Sequence, residues 1–140
     1  MKNIVYISTA VKLMEDEQLV NLLNSARNMN LKHQVTGVLL YSEGTFIQVL
    51  EGNSSDVDHI LSKIETDSRH KNLITLVDEP ITERNFPEWS MGFYTPNADN
   101  ITHLAGYLKS TNKIEGKRDG GAAVTMLKTF IESNKLSMSY

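Results

Sequence analysis

Three polar side chains fall where the apolar pattern places the interior. Tyr6 lies in the run Ile4-Val5-Tyr6-Ile7-Ser8, Gln48 in Phe46-Ile47-Gln48-Val49-Leu50, and Asn30 at the end of a helical stretch. Alternate residues of a strand point to opposite faces, so Gln48 shares a face with Phe46 and Leu50, and Tyr6 with Ile4 and Ser8. An amide in such a layer needs partners, because leaving one of its groups unpaired costs about 1–3 kcal/mol. If the first and third strands adjoin, the phenol of Tyr6 meets the carboxamide of Gln48, and Asn30 adds a second amide. Together they can line a polar notch between helices. They can equally satisfy one another as a structural pair in the core, and position alone leaves both readings open.

Other site chemistries find little support. His33, His59, His70 and His103 share no metal-ligand spacing, and the chain has no cysteine, hence no disulfide framework or thiolate chemistry. Neither a Walker A loop nor a GxGxxG run is present, and no nucleophile has a base partner readable from sequence. Met126, Met138 and Phe130 read as packing residues. The length of 140 residues fits one domain, and 40% apolar with 22% charged residues is an ordinary globular mixture. A net charge of −3, with no block of Lys and Arg, speaks against nucleic acid and anionic membranes as partners. Met1-Lys2-Asn3-Ile4-Val5 enters a strand without a signal peptide, so a cytoplasmic location is expected.

The elements that must position these residues follow from periodicity. Strands are predicted over residues 4–8, 35–41, 45–51, 73–77 and 89–94, with Ser42-Glu43-Gly44 as a hairpin loop and Pro80 ending the fourth strand. Leu19, Leu22, Leu23, Ala26 and Met29 predict a first helix over residues 15–30. Val57, Ile60, Leu61 and Ile64 predict a second, with Asn53 capping it and Asp56 completing a capping box. The order βαββαββ is that of a ferredoxin-like α+β domain, two helices on one face of the sheet. The first and third strands are expected to be central, adjacent and parallel. Val5, Ile7, Ile47 and Val49 make the opposite face apolar as well, so it needs a cover. A weak helix over residues 99–108 and a stronger one over 122–136, striped by Ala123, Leu127, Phe130 and Ile131, are the candidates. Residues 110–121, polar and with three glycines, read as a flexible connection.

Val5-Tyr6-Ile7-Ser8, Ala26-Arg27-Asn28-Met29-Asn30, Val35-Thr36-Gly37-Val38-Leu39-Leu40-Tyr41 and Phe46-Ile47-Gln48-Val49-Leu50-Glu51-Gly52 together resemble the core signature of the BLUF domains, blue-light sensors that use flavin. Asp67-Ser68-Arg69-His70 and Phe86-Pro87-Glu88-Trp89-Ser90-Met91 follow at the family's intervals. The resemblance implies that Tyr6 gives an electron and a proton to the excited flavin and that Gln48 bridges phenol and flavin. It implies that Asn30 bonds the pyrimidine end of the ring, and that Asp67, Arg69 and His70 help hold the ring and its side chain. Trp89 and Met91 match the pair that repacks when the glutamine rearranges. Met29 and Lys63 depart from the residues several relatives carry at the ring edge and tail, Lys63 standing where some have an arginine.

The expectation is therefore a flavin-binding domain over residues 1–96, with a helical extension over residues 97–140 packed on the sheet. The cofactor is FAD foremost, with FMN the other option. No enzymatic output is expected, so the signal would pass to an unidentified downstream protein or through a homo-oligomer. The competing readings are an enzyme resembling acylphosphatases, with Arg27 and Asn30 as candidates, and a flavin-free interaction module.

Overall fold

The computed structural model describes residues 1–87, 92–94 and 121–138. β1 (Lys2–Ala10) leads into α1 (Asp16–His33), whose first turn is closed by Glu15 N–H donating to Gln18 Oε1 at 3.0 Å. The helix ends at Gln34 in the left-handed region, φ 54°, where its N–H turns back to the carbonyls of Asn30 and Leu31. β2 (Thr36–Ser42) and β3 (Thr45–Gly52) form the expected hairpin. Both residues of its two-residue turn have positive φ, Glu43 at 47° and Gly44 at 87°, the geometry whose twist matches that of the strands.

α2 (Ser54–Glu65) starts at Asn53, but the Asn53 side chain makes no capping hydrogen bond. The expected capping box is not formed, and the Asp56 carboxylate faces His33 of α1, 3.5 Å away. β4 (His70–Pro80) is longer than periodicity indicated and ends at Pro80 as expected, and β5 (Gly92–Tyr94) and α3 (Gly121–Met138) complete the described elements. The stretch over residues 99–108, nearly all of the connection over residues 110–121, and Trp89 and Met91 lie outside the described residues.

The sheet order β4-β1-β3-β2-β5 puts β1 and β3 at its centre, as predicted. Their direction corrects the sequence expectation, for they run antiparallel, with Tyr6 directly opposite Gln48. The reason is topological. The α1 crossover returns the chain so that β2 runs parallel to β1, and the tight hairpin then reverses β3 against both. β5 adds to β2 in parallel at the other edge.

Both faces are covered. Ile4, Leu39, Phe46 and Leu50 pack beneath α1 and α2 with Leu19, Leu23, Val57 and Ile60. On the far face Val5, Val38, Leu40, Ile47 and Val49 share a buried cluster with Phe86 and with Ala123, Val124, Leu127 and Ile131 of α3. Each such side chain removed from water contributes about 1.5–3 kcal/mol, which is why an apolar second face required a second cover. The sheet also demands close backbone approach at Gly37, where a Cβ would lie 1.8 Å from the carbonyl oxygen of Val49. Gly37→Ala should therefore destabilise the domain by about 2 kcal/mol or more, the upper range of overpacking penalties. Leu31→Ala, at a position 65% exposed, should change stability by less than about 0.5 kcal/mol. Urea unfolding of the two variants checks both.

Candidate functional site

Between the near face of the sheet and the two helices lies a cavity with about 690 Å³ of empty space, part of it open to solvent. Its floor is Tyr6 on β1, Leu39 on β2, and Phe46 and Gln48 on β3. Its walls are Leu22, Ser25, Ala26, Met29 and Asn30 of α1 with Ile60, Lys63 and Ile64 of α2, and Asp67, Arg69 and His70 complete it.

The antiparallel register brings the phenol and the carboxamide together, and Tyr6 Oη donates a hydrogen bond to Gln48 Oε1. Both side chains are buried. Burial pushes the Tyr6 pKa well above the ordinary phenol value, and the negative charge of Asp67 pushes the same way. The pair is thus a neutral donor and acceptor with the glutamine carbonyl turned toward the phenol.

Asn30 sits in the last turn of α1. Its backbone carbonyl takes the capping role, accepting from Gln34 N–H and from Val35 N–H at 2.9 Å, while its buried side chain lines the cavity. His70 contributes a ring rather than a loose nitrogen. Nε2 lies 2.6 Å from the Ile64 carbonyl, which can only accept, and Nδ1 lies 2.7 Å from Ser8 Oγ. The ring stands edge-on to Phe46, centroids 6.4 Å apart, and 6.3 Å from Tyr6. Asp67 and Arg69 form a local ion pair, Nε to Oδ1 at 2.9 Å and Nε to Oδ2 at 3.1 Å, with Arg69 N–H also on Oδ1. The guanidinium holds the Asp67 carboxyl below its usual range. Lys63 completes a cationic edge to the cavity.

Sequence reasoning missed Ser8, the partner that orients His70, and Ser25, which lines the wall one turn before Met29. Alternation did place Ser8 on the Tyr6 face, which is the signal that identifies it. Arg27, the acylphosphatase candidate, is exposed and is not among the cavity residues.

Residues 1–92 match the family model BLUF, described as sensors of blue light using FAD. Over 104 residues the chain is 36% identical to a photoactivated adenylate cyclase subunit alpha from Euglena gracilis, covering 73% of this chain and 10% of that protein. The chain spans about a tenth of the length of the curated relatives it matches. Among solved structures, the dark state of BlrB, a BLUF protein, superposes with a TM-score of 0.69 at 26% identity over 94% of this chain and 96% of that one. The photo-activated state of BlsA gives 0.65 at 32% identity over 75% and 76%.

The cavity residues fit a flavin. Leu22, Ala26, Met29, Leu39, Phe46, Ile60 and Ile64 offer apolar surface to a planar ring, Asn30 and Gln48 offer amides to its polar edges, and Lys63 and Arg69 suit an anionic tail. Above about pH 10 the unfolded chain releases the Tyr6 proton while the folded chain retains it, so the folded state binds more protons and stability falls as pH rises. Tyr6→Phe should make that alkaline decline shallower, by up to about 1.4 kcal/mol per pH unit. Denaturant unfolding at successive pH values measures the slope, and an unchanged slope would show that the phenol ionises as readily in the fold as outside it.

Proposed function

This chain belongs to the BLUF family of flavin-using blue-light sensors, and from that premise we propose that Tyr6 and Gln48 are its photoactive pair. Asn30, Lys63, Asp67, Arg69 and His70 hold the flavin. The observation that carries this reading is the hydrogen bond from Tyr6 Oη to Gln48 Oε1 in the floor of the cavity. A bound flavin supplies the blue absorption and, once excited, an oxidant strong enough to draw an electron from a phenol. Tyr6 is the one phenol or indole among the described lining residues. An oxidised phenol is strongly acidic, and its proton has a route already formed, toward the glutamine oxygen. In the dark, the raised pKa of Tyr6 keeps that proton in place. Once electron and proton have returned, a glutamine left rotated or tautomerised presents a donor where it had presented an acceptor. The end of the amide turned away from the phenol changes with it, and that altered hydrogen bond to the ligand's edge is the source of the red-shifted signalling state.

The remaining steps concern output. The chain acts as a sensor without catalysis of its own. Repacking of Trp89 and Met91 alters the docking of α3 within the extension over residues 97–140, and the signal leaves to a partner protein or across a homo-oligomer. What supports this route is the buried cluster that α3 shares with the far side of β1 and β3, the strands that carry Tyr6 and Gln48. Among the described residues no helix is long and apolar enough to cross a membrane.

Tyr6→Phe should retain the flavin and lose the reversible red shift under blue light. Gln48→Leu conserves volume and should behave likewise. Absorption spectra before and after illumination decide both, and a normal photocycle in either variant would sink the mechanism. Asn30→Ala should weaken flavin binding by roughly fivefold, the worth of about one hydrogen bond, with little loss of thermal stability. If that variant melts early yet holds its flavin fully, Asn30 is structural.

A further inference from the structure

Glu51 lies three residues beyond Gln48 on β3, on the opposite face of the sheet. It is fully buried, and its carboxylate is held by main chain from residues that lead toward Trp89 and Met91. Oε2 accepts from Asn85 N–H at 2.8 Å and from Asn85 Nδ2 at 3.3 Å, and Oε1 accepts from Phe86 N–H at 2.7 Å. Arg84 fastens the same stretch from the other side. Its Nη1 donates to the Glu51 carbonyl and to Thr36 Oγ1, both at 2.9 Å, and its Nη2 to the Gln34 carbonyl at 2.7 Å. Phe86, thus anchored, is 1% exposed and sits in the far-face cluster with Val5, Val49 and Leu127 of α3.

Burial pushes the Glu51 pKa up, while the N–H groups of Asn85 and Phe86 and the charge of Arg84 pull it back. All three donors to the carboxylate are N–H groups, the arrangement that suits an ionised acceptor. A buried acceptor of this kind tolerates partial loss poorly, since each vacated bond leaves its full desolvation penalty. The latch therefore needs a second arrangement if it is to open. Asn3 provides one. It is directly opposite Glu51 in the β1–β3 register, on the same face, fully buried, and neither Nδ2 nor Oδ1 finds a partner among the described residues.

We propose that Glu51 is a positioning residue of signal output. It is a two-state latch, closed on Asn85 and Phe86 in the dark and transferred toward the Asn3 amide in the light, which frees Phe86 and with it the seat of α3. This rests on the reading that Gln48 switches and that α3 receives the signal. Because Gln48 and Glu51 share one strand, a shift of the strand at the first is felt at the second.

Hydrogen exchange of the flavin-loaded protein, dark and illuminated, tests the latch. In Glu51→Gln, flavin content and red shift should equal those of the parent. In the dark the amides of Asn85 and Phe86 should exchange about tenfold faster, and the light-dependent change in α3 should fall below about a third of the parent's. Asn3→Leu should keep the dark protection of Asn85 and Phe86 and lose their light-induced release. If Glu51→Gln does not fold, Asn3→Leu decides the matter together with Arg84→Met, in which the dark exchange of Asn85 and Phe86 should also rise. An α3 response that survives a deprotected latch, or an unchanged light response in Asn3→Leu, overturns the proposal. A lost red shift in Glu51→Gln overturns it too, by placing Glu51 in the photochemistry. The absence of any light response at α3 in the parent overturns the output route itself, a failure distinct from that of the latch.

Discussion

The antiparallel register of β1 against β3 is the constraint from which the rest of this molecule follows. It sets Tyr6 opposite Gln48 on the near face and Asn3 opposite Glu51 on the far one. A slip of one residue would reverse every side chain of one strand, sending a phenol or an amide into the packing beneath α3. The apolar residues between these polar positions oppose that slip. Ile4, Val5, Val49 and Leu50 are all fully buried, each on its own face, so the register is held by burial on both sides of the sheet at once.

Within that frame the two faces treat polar groups differently. On the near face the phenol stays neutral, because burial and the Asp67 charge both resist its ionisation, and its hydrogen bond to a neutral amide needs no charge. On the far face a carboxylate is stitched to main-chain N–H groups and so acts as a structural clasp. The first arrangement can change by moving one proton or turning one amide. The second can change only by exchanging partners. The proposed photoactive pair and the proposed latch thus occupy opposite faces of the same two strands.

β4 shows how an exposed sheet edge is managed. Ile74 is 55% and Leu76 39% exposed on an edge strand, an invitation to pairing with another chain. Two register shifts against β1 interrupt the strand, and Asn72 is left-handed with φ 56°. Lys71, Asp78 and Glu79 add charge along it. Bulges of this kind twist an edge away from a regular ladder, and charges along it oppose pairing with another chain.

Much of this was readable from sequence, for reasons that lie in local periodicity. Alternation assigned Tyr6, Ser8 and Gln48 to one face and Val5, Ile47 and Val49 to the other, and helical spacing found α1, α2 and the stripe of α3, because burial repeats with the geometry of each element. The combination of short motifs identified the family. What the sequence could not decide were matters of relative position between elements distant in the chain. Strand direction depends on how a crossover and a hairpin compose, and there the parallel expectation for β1 and β3 failed. The capping box at Asn53 did not form, and Asp56 instead faces His33 on another helix, a partner no local rule contains. Glu51 read as one more residue of a motif, and its role as a buried acceptor for Asn85 and Phe86 emerged only when residues 34 and 35 positions apart met across the fold. Local periodicity determines which face a side chain takes. Tertiary structure alone decides what is waiting there, since hydrogen-bond partners for a buried group are supplied by whatever chain the packing brings against it.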